Sequence, residues 1–281
     1  MQVQWYPGHM TKARRQIEEN LKLVDLILEL VDARVPASGR NPDIGSLGQQ
    51  KPRLIVLTKA DLADASVTER WIETYTAQGL RAIALDARAS ATKKILATQI
   101  REACREKLER DKRRGIRKSQ IRVLVAGIPN VGKSTLIISL AKKASAKTGD
   151  RPGVTKGQQW IRLAEGIDLL DTPGLLWPKF ESKEVGLRLA WIGSIREEVL
   201  ATEELSLSLI DHLRCTYPNA LSGRYGIDES GSAEEILTSI AVERGCIRGG
   251  GEADTEKAAS LLLEEFRHAK LGRITLERPE A

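Results

Sequence analysis

Three short apolar runs in this chain each end in a polar turn, and the order of those turns restricts the folds open to it. Arg53-Leu54-Ile55-Val56-Leu57 leads into Thr58-Lys59-Ala60-Asp61, and Val123-Leu124-Val125-Ala126 into Gly127-x4-Gly132-Lys133-Ser134. Ile167-Asp168-Leu169-Leu170 leads into Asp171-Thr172-Pro173-Gly174. Buried strands that each deliver a loop at their carboxyl end are the signature of an α/β sheet with its ligand crevice at that edge. A loop of the Gly127–Ser134 kind ordinarily precedes a triplet of the Lys59–Asp61 kind. Here it follows by about seventy residues, so the sheet is expected to be circularly permuted.

Further along, strands and helices alternate. The spacing predicts strands over 26–31, 53–57, 81–85 and 121–126, and helices over 66–78, 91–110 and 133–143. This pattern gives a mostly parallel sheet with helices on both faces. Past Trp177-Pro178 the character turns helical. Ser232-x-x-Glu235 reads as a capping box, Gly245 as a helix end, and Asp254 as the cap of a last helix that stops at Gly272. The expected architecture is an α/β nucleotide-binding domain over 1–180, with a basic linker at about 105–118, followed by a small all-helical domain over 185–281.

Charge is divided unevenly. Residues 1–184 carry 33 Lys and Arg against 21 Asp and Glu, whereas residues 185–281 carry 11 against 17. Eight of the basic residues lie between Arg105 and Lys118. Such a segment attracts phosphate backbones, and it also serves as a plain solvated linker. The three cysteines are scattered and support neither a disulfide framework nor a zinc site, so a reducing, cytoplasmic setting is expected. No apolar stretch is long enough to span a membrane, and the first residues lack a signal pattern.

The turns themselves carry chemistry. In Pro129-Asn130-Val131-Gly132-Lys133-Ser134-Thr135 the backbone can wrap phosphates at a helix N-terminus. Lys133 meets the β/γ-phosphates there and Ser134 meets Mg²⁺. Asp171 suits a second Mg²⁺ contact through water, and Gly174 offers an N–H to a γ-phosphate. Thr155, in Pro152-Gly153-Val154-Thr155, would add a ligand from a switch loop. Asp61 can accept from guanine N1–H and N2–H₂, a pair that adenine lacks, so GTP/GDP is the expected ligand. Leu175 follows Gly174 where a water-orienting Gln is common, so hydrolysis needs help from elsewhere in the chain, from a monovalent cation or from a partner, and His9 is the best internal candidate.

Tyr6-Pro7-Gly8-His9-Met10, Val31-Asp32-Ala33-Arg34-Val35-Pro36 and the three turns together resemble the circularly permuted ribosome-biogenesis GTPases of the YlqF/RbgA family. Asp254–Ala259 and Leu271–Ile274 resemble that family's helical RNA-binding domain. The resemblance implies a P-loop GTPase fold and GTP hydrolysis stimulated by the large ribosomal subunit during its late assembly, with ribosomal RNA as partner. It implies that His9 helps place the attacking water, that Asn130 helps hold K⁺, and that Ala87 donates a backbone N–H to guanine O6. Thr58 stands where the family usually has Asn. RNA contacts are expected from Arg267, Lys270 and Arg273, shared with Arg113, Arg114, Arg117 and Lys118. A monomer is expected. A switch GTPase with a protein or transfer RNA partner, and an RNA scaffold that holds nucleotide without useful turnover, are the alternatives.

Overall fold

The computed structural model describes residue 15 and residues 18–48, 50–145, 160–171, 182–195 and 201–280, without the side chains of 141–145. His9, Thr155, Gly174 and the segment Leu175–Phe180 lie outside the described residues. Six strands form one sheet: β1 (Leu26–Asp32), β2 (Arg53–Thr58), β3 (Arg81–Leu85), β4 (Ile121–Gly127), β5 (Trp160–Ala164) and β6 (Ile167–Asp171). Their order is β3-β2-β1-β4-β6-β5, parallel except for the edge strand β5, which pairs antiparallel with β6. β1 and β4 are neighbours, with Leu28 opposite Val125. That adjacency brings the early and late turns to the same edge.

Every residue of β1 is buried, and its side chains alternate between the two faces. Leu26, Leu28 and Leu30 join the main core, while Ile27 and Val31 point into two smaller clusters on the other side. The helices are α1 (Pro42–Leu47), α2 (Ala65–Ala77), α3 (Thr92–Ala103), α4 (Arg105–Arg113) and α5 (Lys133–Ser145), then α6 (Lys183–Trp191), α7 (Thr202–Thr216), α8 (Ala220–Tyr225), α9 (Ala233–Glu243) and α10 (Thr255–Arg267). α2 lays Val67, Trp71 and Tyr75 on one face of the sheet, and α3 lays Leu96 and Ile100 on the other.

The single helix expected over 91–110 is two. Cys104 leaves helical geometry at φ −105°, ψ 17°, and α4 begins beyond it. The supposed linker at 105–118 is therefore largely a helix. The main core is also continuous from Leu26 to Leu276, running from the sheet into α6–α10. The last residues return to the sheet: Leu276 N donates to Arg34 O at 2.8 Å, and Ile274 N to Leu62 O at 3.4 Å. Glu277 is buried and accepts from the backbone N–H of Ala37 at 2.7 Å and of Ser38 at 3.0 Å. Leu271, Ile274 and Leu276 are buried too, each contributing roughly 1.5–3 kcal/mol.

Among the helices, Glu265 is the clasp. Its carboxylate accepts from Arg224 Nε at 2.8 Å, Arg224 Nη2 at 2.7 Å and Arg244 Nη2 at 2.6 Å, joining α10 to the ends of α8 and α9. The Arg224 hydrogen bonds, helped by Arg244 and working against burial, hold its carboxyl down at about 2. A depressed acid stabilises the fold above the ordinary glutamate range, and that stability is lost as pH falls toward 2. Glu265→Gln is expected to cost roughly 3 kcal/mol at pH 7. It is also expected to flatten the loss of stability between pH 4.5 and 2. Urea denaturation at pH 7 and pH 3 checks both.

Candidate nucleotide site

The carboxyl ends of β1, β2, β3, β4 and β6 deliver Asp32, Thr58–Asp61, Asp86–Ala87, the Gly127–Ser134 loop and Asp171 to one edge. Gly127 has to be glycine because a Cβ there would sit 2.7 Å from Leu30 O. Two other positions of the loop take left-handed backbone: Asn130 (φ 58°) and Gly132 (φ 99°). α5 then starts at Lys133 with its N-terminus aimed at the loop's mouth, the arrangement that favours an anion. Lys133 is buried, and desolvation pulls its ammonium down to about 8 against the opposing attraction of Asp171. A phosphate placed there would restore the favour for the charged form. Ser134 and Thr135 are exposed on the first turn of α5.

The Thr58–Asp61 turn is tied directly to the phosphate loop. Lys59, held in left-handed backbone at φ 54°, donates to Asn130 O at 2.7 Å and pairs with Asp32 at 3.0 Å. Thr58 Oγ1 lies 2.6 Å from Val131 O and 3.1 Å from Val31 O, and its one proton serves the nearer carbonyl. Thr58 thus supports the phosphate loop. Asp61 is partly exposed and pairs with Arg88 Nη2 at 2.5 Å, while Arg88 N donates to Asp86 at 2.8 Å. Ala87, half-buried, sits between those two residues. Arg88 is a residue at this edge that the sequence did not single out; its only signal was a cation just past a strand end.

Asp32 and Arg34 were also missed as working parts. Arg34 grips Asp32 through Nε at 2.9 Å and Nη2 at 2.8 Å, with both side chains buried. Burial pushes the Asp32 carboxyl up, but Arg34 and Lys59 outweigh it and hold it well below the carboxylate range. Arg34 Nη1 donates to Arg267 O at 3.1 Å, and its guanidinium lies 5.9 Å from the Phe266 ring. Arg267 in turn donates to Trp191 O and Ala190 O, each at 2.9 Å, closing the carboxyl end of α6. Two residues on, Gly193 O accepts from Asn130 Nδ2 at 2.7 Å, and Ser194 Oγ donates to Pro129 O at 2.9 Å. A closed ring therefore runs from the phosphate loop through Lys59, Asp32, Arg34, Arg267 and Gly193 back to Asn130.

Of the residues expected at RNA, Arg267 is partly buried and donates to two helix carbonyls. Lys270 is half-exposed, 3.9 Å from Glu265, and Arg273 is exposed.

The donor set fits magnesium. Ser134 offers a hydroxyl oxygen and Asp171 a carboxylate at the end of β6, hard oxygens of the kind Mg²⁺ takes alongside phosphates and water. No group of three or more His, Cys, Asp or Glu that could hold a metal occurs among the described residues. No helix among the described residues is long and apolar enough to cross a membrane.

Comparison with known proteins identifies the family. A profile described as "50S ribosome-binding GTPase" matches residues 122–224. Ribosome biogenesis GTPase A of Bacillus cereus is 48% identical over 281 residues, covering 100% of this chain and 95% of its own length. The protein of the same name from Thermotoga maritima is 34% identical, covering 99% and 95%. The crystal structure of GNP-bound YlqF from T. maritima superposes with a TM-score of 0.69 at 31% identity, over 96% of this chain and 99% of that one. A strand order that brings the early Thr58–Asp61 turn to a late phosphate loop, and likeness along the full length, place the chain in the ribosome biogenesis GTPase A (RbgA/YlqF) family of GTP-hydrolysing, circularly permuted P-loop proteins.

Proposed function

We propose that this chain is a GTP-driven assembly factor that binds the ribosomal RNA of the large subunit late in its maturation and leaves after hydrolysis. One observation carries the reading: Lys59 donates across 71 residues of sequence to Asn130, joining the base-reading turn to the phosphate loop. In this reading Asp61 reads guanine with Thr58, Lys59 and Ala87 around the base. Pro129–Thr135 wrap the phosphates, with Lys133 on the β/γ groups. Ser134 and Asp171, with Thr155, hold Mg²⁺ directly or through water, Gly174 meets the γ-phosphate, and His9 places the attacking water. Asn130 Nδ2 is committed to Gly193, which leaves Oδ1 to face a monovalent cation, K⁺.

Residues 1–180 and 185–281 act as two units whose relation depends on the nucleotide. Asn130–Gly193 and Ser194–Pro129 are contacts through which that dependence would pass. The chain works as a monomer in the cytoplasm. Large subunits are expected to raise GTP turnover in potassium buffer, and sodium to abolish most of that gain. Turnover that is indifferent to large subunits, or equally raised by isolated transfer RNA, would overturn the ribosomal reading.

A further inference from the structure

The cations of α4 and the turn behind it lie at the amino ends of the strands, opposite the nucleotide. Gln120 immediately precedes β4, and Asp25, just ahead of β1, donates its N–H to Arg122 O at 2.7 Å. Strands of five to seven residues separate this edge from the phosphate loop, roughly 20 Å away.

The segment is built rather than loose. α4 packs Leu108 and Asp111 inward behind the buried Cys104 that precedes it. Asp111 accepts from Ser119 Oγ at 2.6 Å and from Lys107 Nζ at 3.1 Å, and Lys107 also donates to Gln120 O at 2.6 Å. Gly115, at φ 76°, makes the reversal, and Ile116 N donates to Asp111 O at 3.0 Å. Gln120 is further bonded to Asp168. This scaffold presents Lys112, Arg113, Arg114, Arg117 and Lys118, all exposed and none in a salt bridge among the described residues. Beside them opens a cleft of about 650 Å³ whose wall carries Lys51, Arg81, Arg105, Lys107 and Arg110 against three carboxylates.

Unpaired cations held on a pinned turn are suited to a phosphate backbone, since each phosphate they neutralise releases counterions. Resting on the ribosomal reading above, we infer that this edge is a second RNA contact, an anchor for the backbone of an RNA helix whose grip does not depend on the bound nucleotide. No described hydrogen bond of the Asp111 scaffold involves the ring around the phosphate loop. The anchor would hold the RNA while the other contacts change.

The test uses the full chain with Arg113, Arg114, Arg117 and Lys118 all changed to Ala, and a second variant with the three arginines changed to Lys. The probes are purified large subunits, a fluorescein-labelled 16-base-pair RNA hairpin, and vesicles of phosphatidylserine in phosphatidylcholine, each with GDP and with a non-hydrolysable GTP analogue. Since no described partner is lost, both variants are expected to melt with the wild type. The alanine variant is expected to bind hairpin and subunits about tenfold or more weakly, equally in both nucleotide states. Its slope of log affinity against log salt should be shallower by about 3. The lysine variant should keep most of the affinity. Unchanged affinity and slope, a loss confined to one nucleotide state, or variant-sensitive binding to vesicles without binding to RNA would each overturn the anchor. Failure of the wild type to bind large subunits would sink the ribosomal reading instead, and the hairpin still tests the anchor in that case.

Discussion

Lys133→Ala should lower GTP turnover by roughly 10²–10³-fold, the loss seen when one preorganised charge-stabilising group is removed from a reacting centre. Lys133 is the buried cation at the mouth of the phosphate loop, because Lys59 is already committed to Asp32 and Asn130. Burial has pulled the ammonium down to about 8, so the charge is held at a cost to folding. Taking it away should leave stability within about 1 kcal/mol of wild type while activity collapses. Lys133→Arg should not rescue, since a planar fork does not fit where a compact ammonium sat. Single-turnover phosphate release alongside a thermal melt checks the pair of outcomes. Turnover close to wild type would remove Lys133 from the centre.

Arg34→Ala should cost about 3–5 kcal/mol of stability, because it strips a buried carboxylate of its bidentate partner. Asp32 would keep only Lys59 at 3.0 Å and the backbone N–H of residue 34 at 3.0 Å, and the helical part would lose the hydrogen bond to Arg267 O. The double variant Asp32→Asn with Arg34→Met should recover a good part of the loss, since it removes the stranded charge along with its partner. Guanidinium denaturation of the three proteins reads this out. A single variant within about 1 kcal/mol of wild type would show that the pair is not structural.

What the sequence disclosed was local. The apolar runs gave the strands of the parallel sheet. The capping box at Ser232 and the Asp254 cap, which accepts from Lys257 N at 3.1 Å, lay where their spacing placed them. β5 escaped notice because Trp160–Ala164 is short and shows only two buried positions, as an edge strand does. α1, six residues that open with Pro42 behind the Asn41 cap, was too brief for a helical period. The break at Cys104 had no glycine or proline to announce it.

The site divided along the same line. Lys133, Asp61 and Asp171 sit in motifs whose spacing has a mechanical reason, and they converge at one edge. Arg34, Arg88, Arg267 and Glu277 act through partners that lie 233, 27, 76 and 240 residues away, and no periodicity encodes such pairs. Arg267 shows the limit most plainly. Its bonds to two carbonyls of α6 leave no mark in the residues around it.

The circuit from Asn130 through Lys59, Asp32, Arg34 and Arg267, closed by hydrogen bonds to Trp191 O and the backbone from there to Gly193, behaves like a mechanical linkage with no free end. A displacement at one joint must either turn the whole frame or part it at its feeblest member. That member is the neutral, exposed Asn130–Gly193 bond, since the Asp32–Arg34 joint is charged and dry. The circuit is therefore fused at the nucleotide, where a ligand can reach the breaker, and welded at the far side.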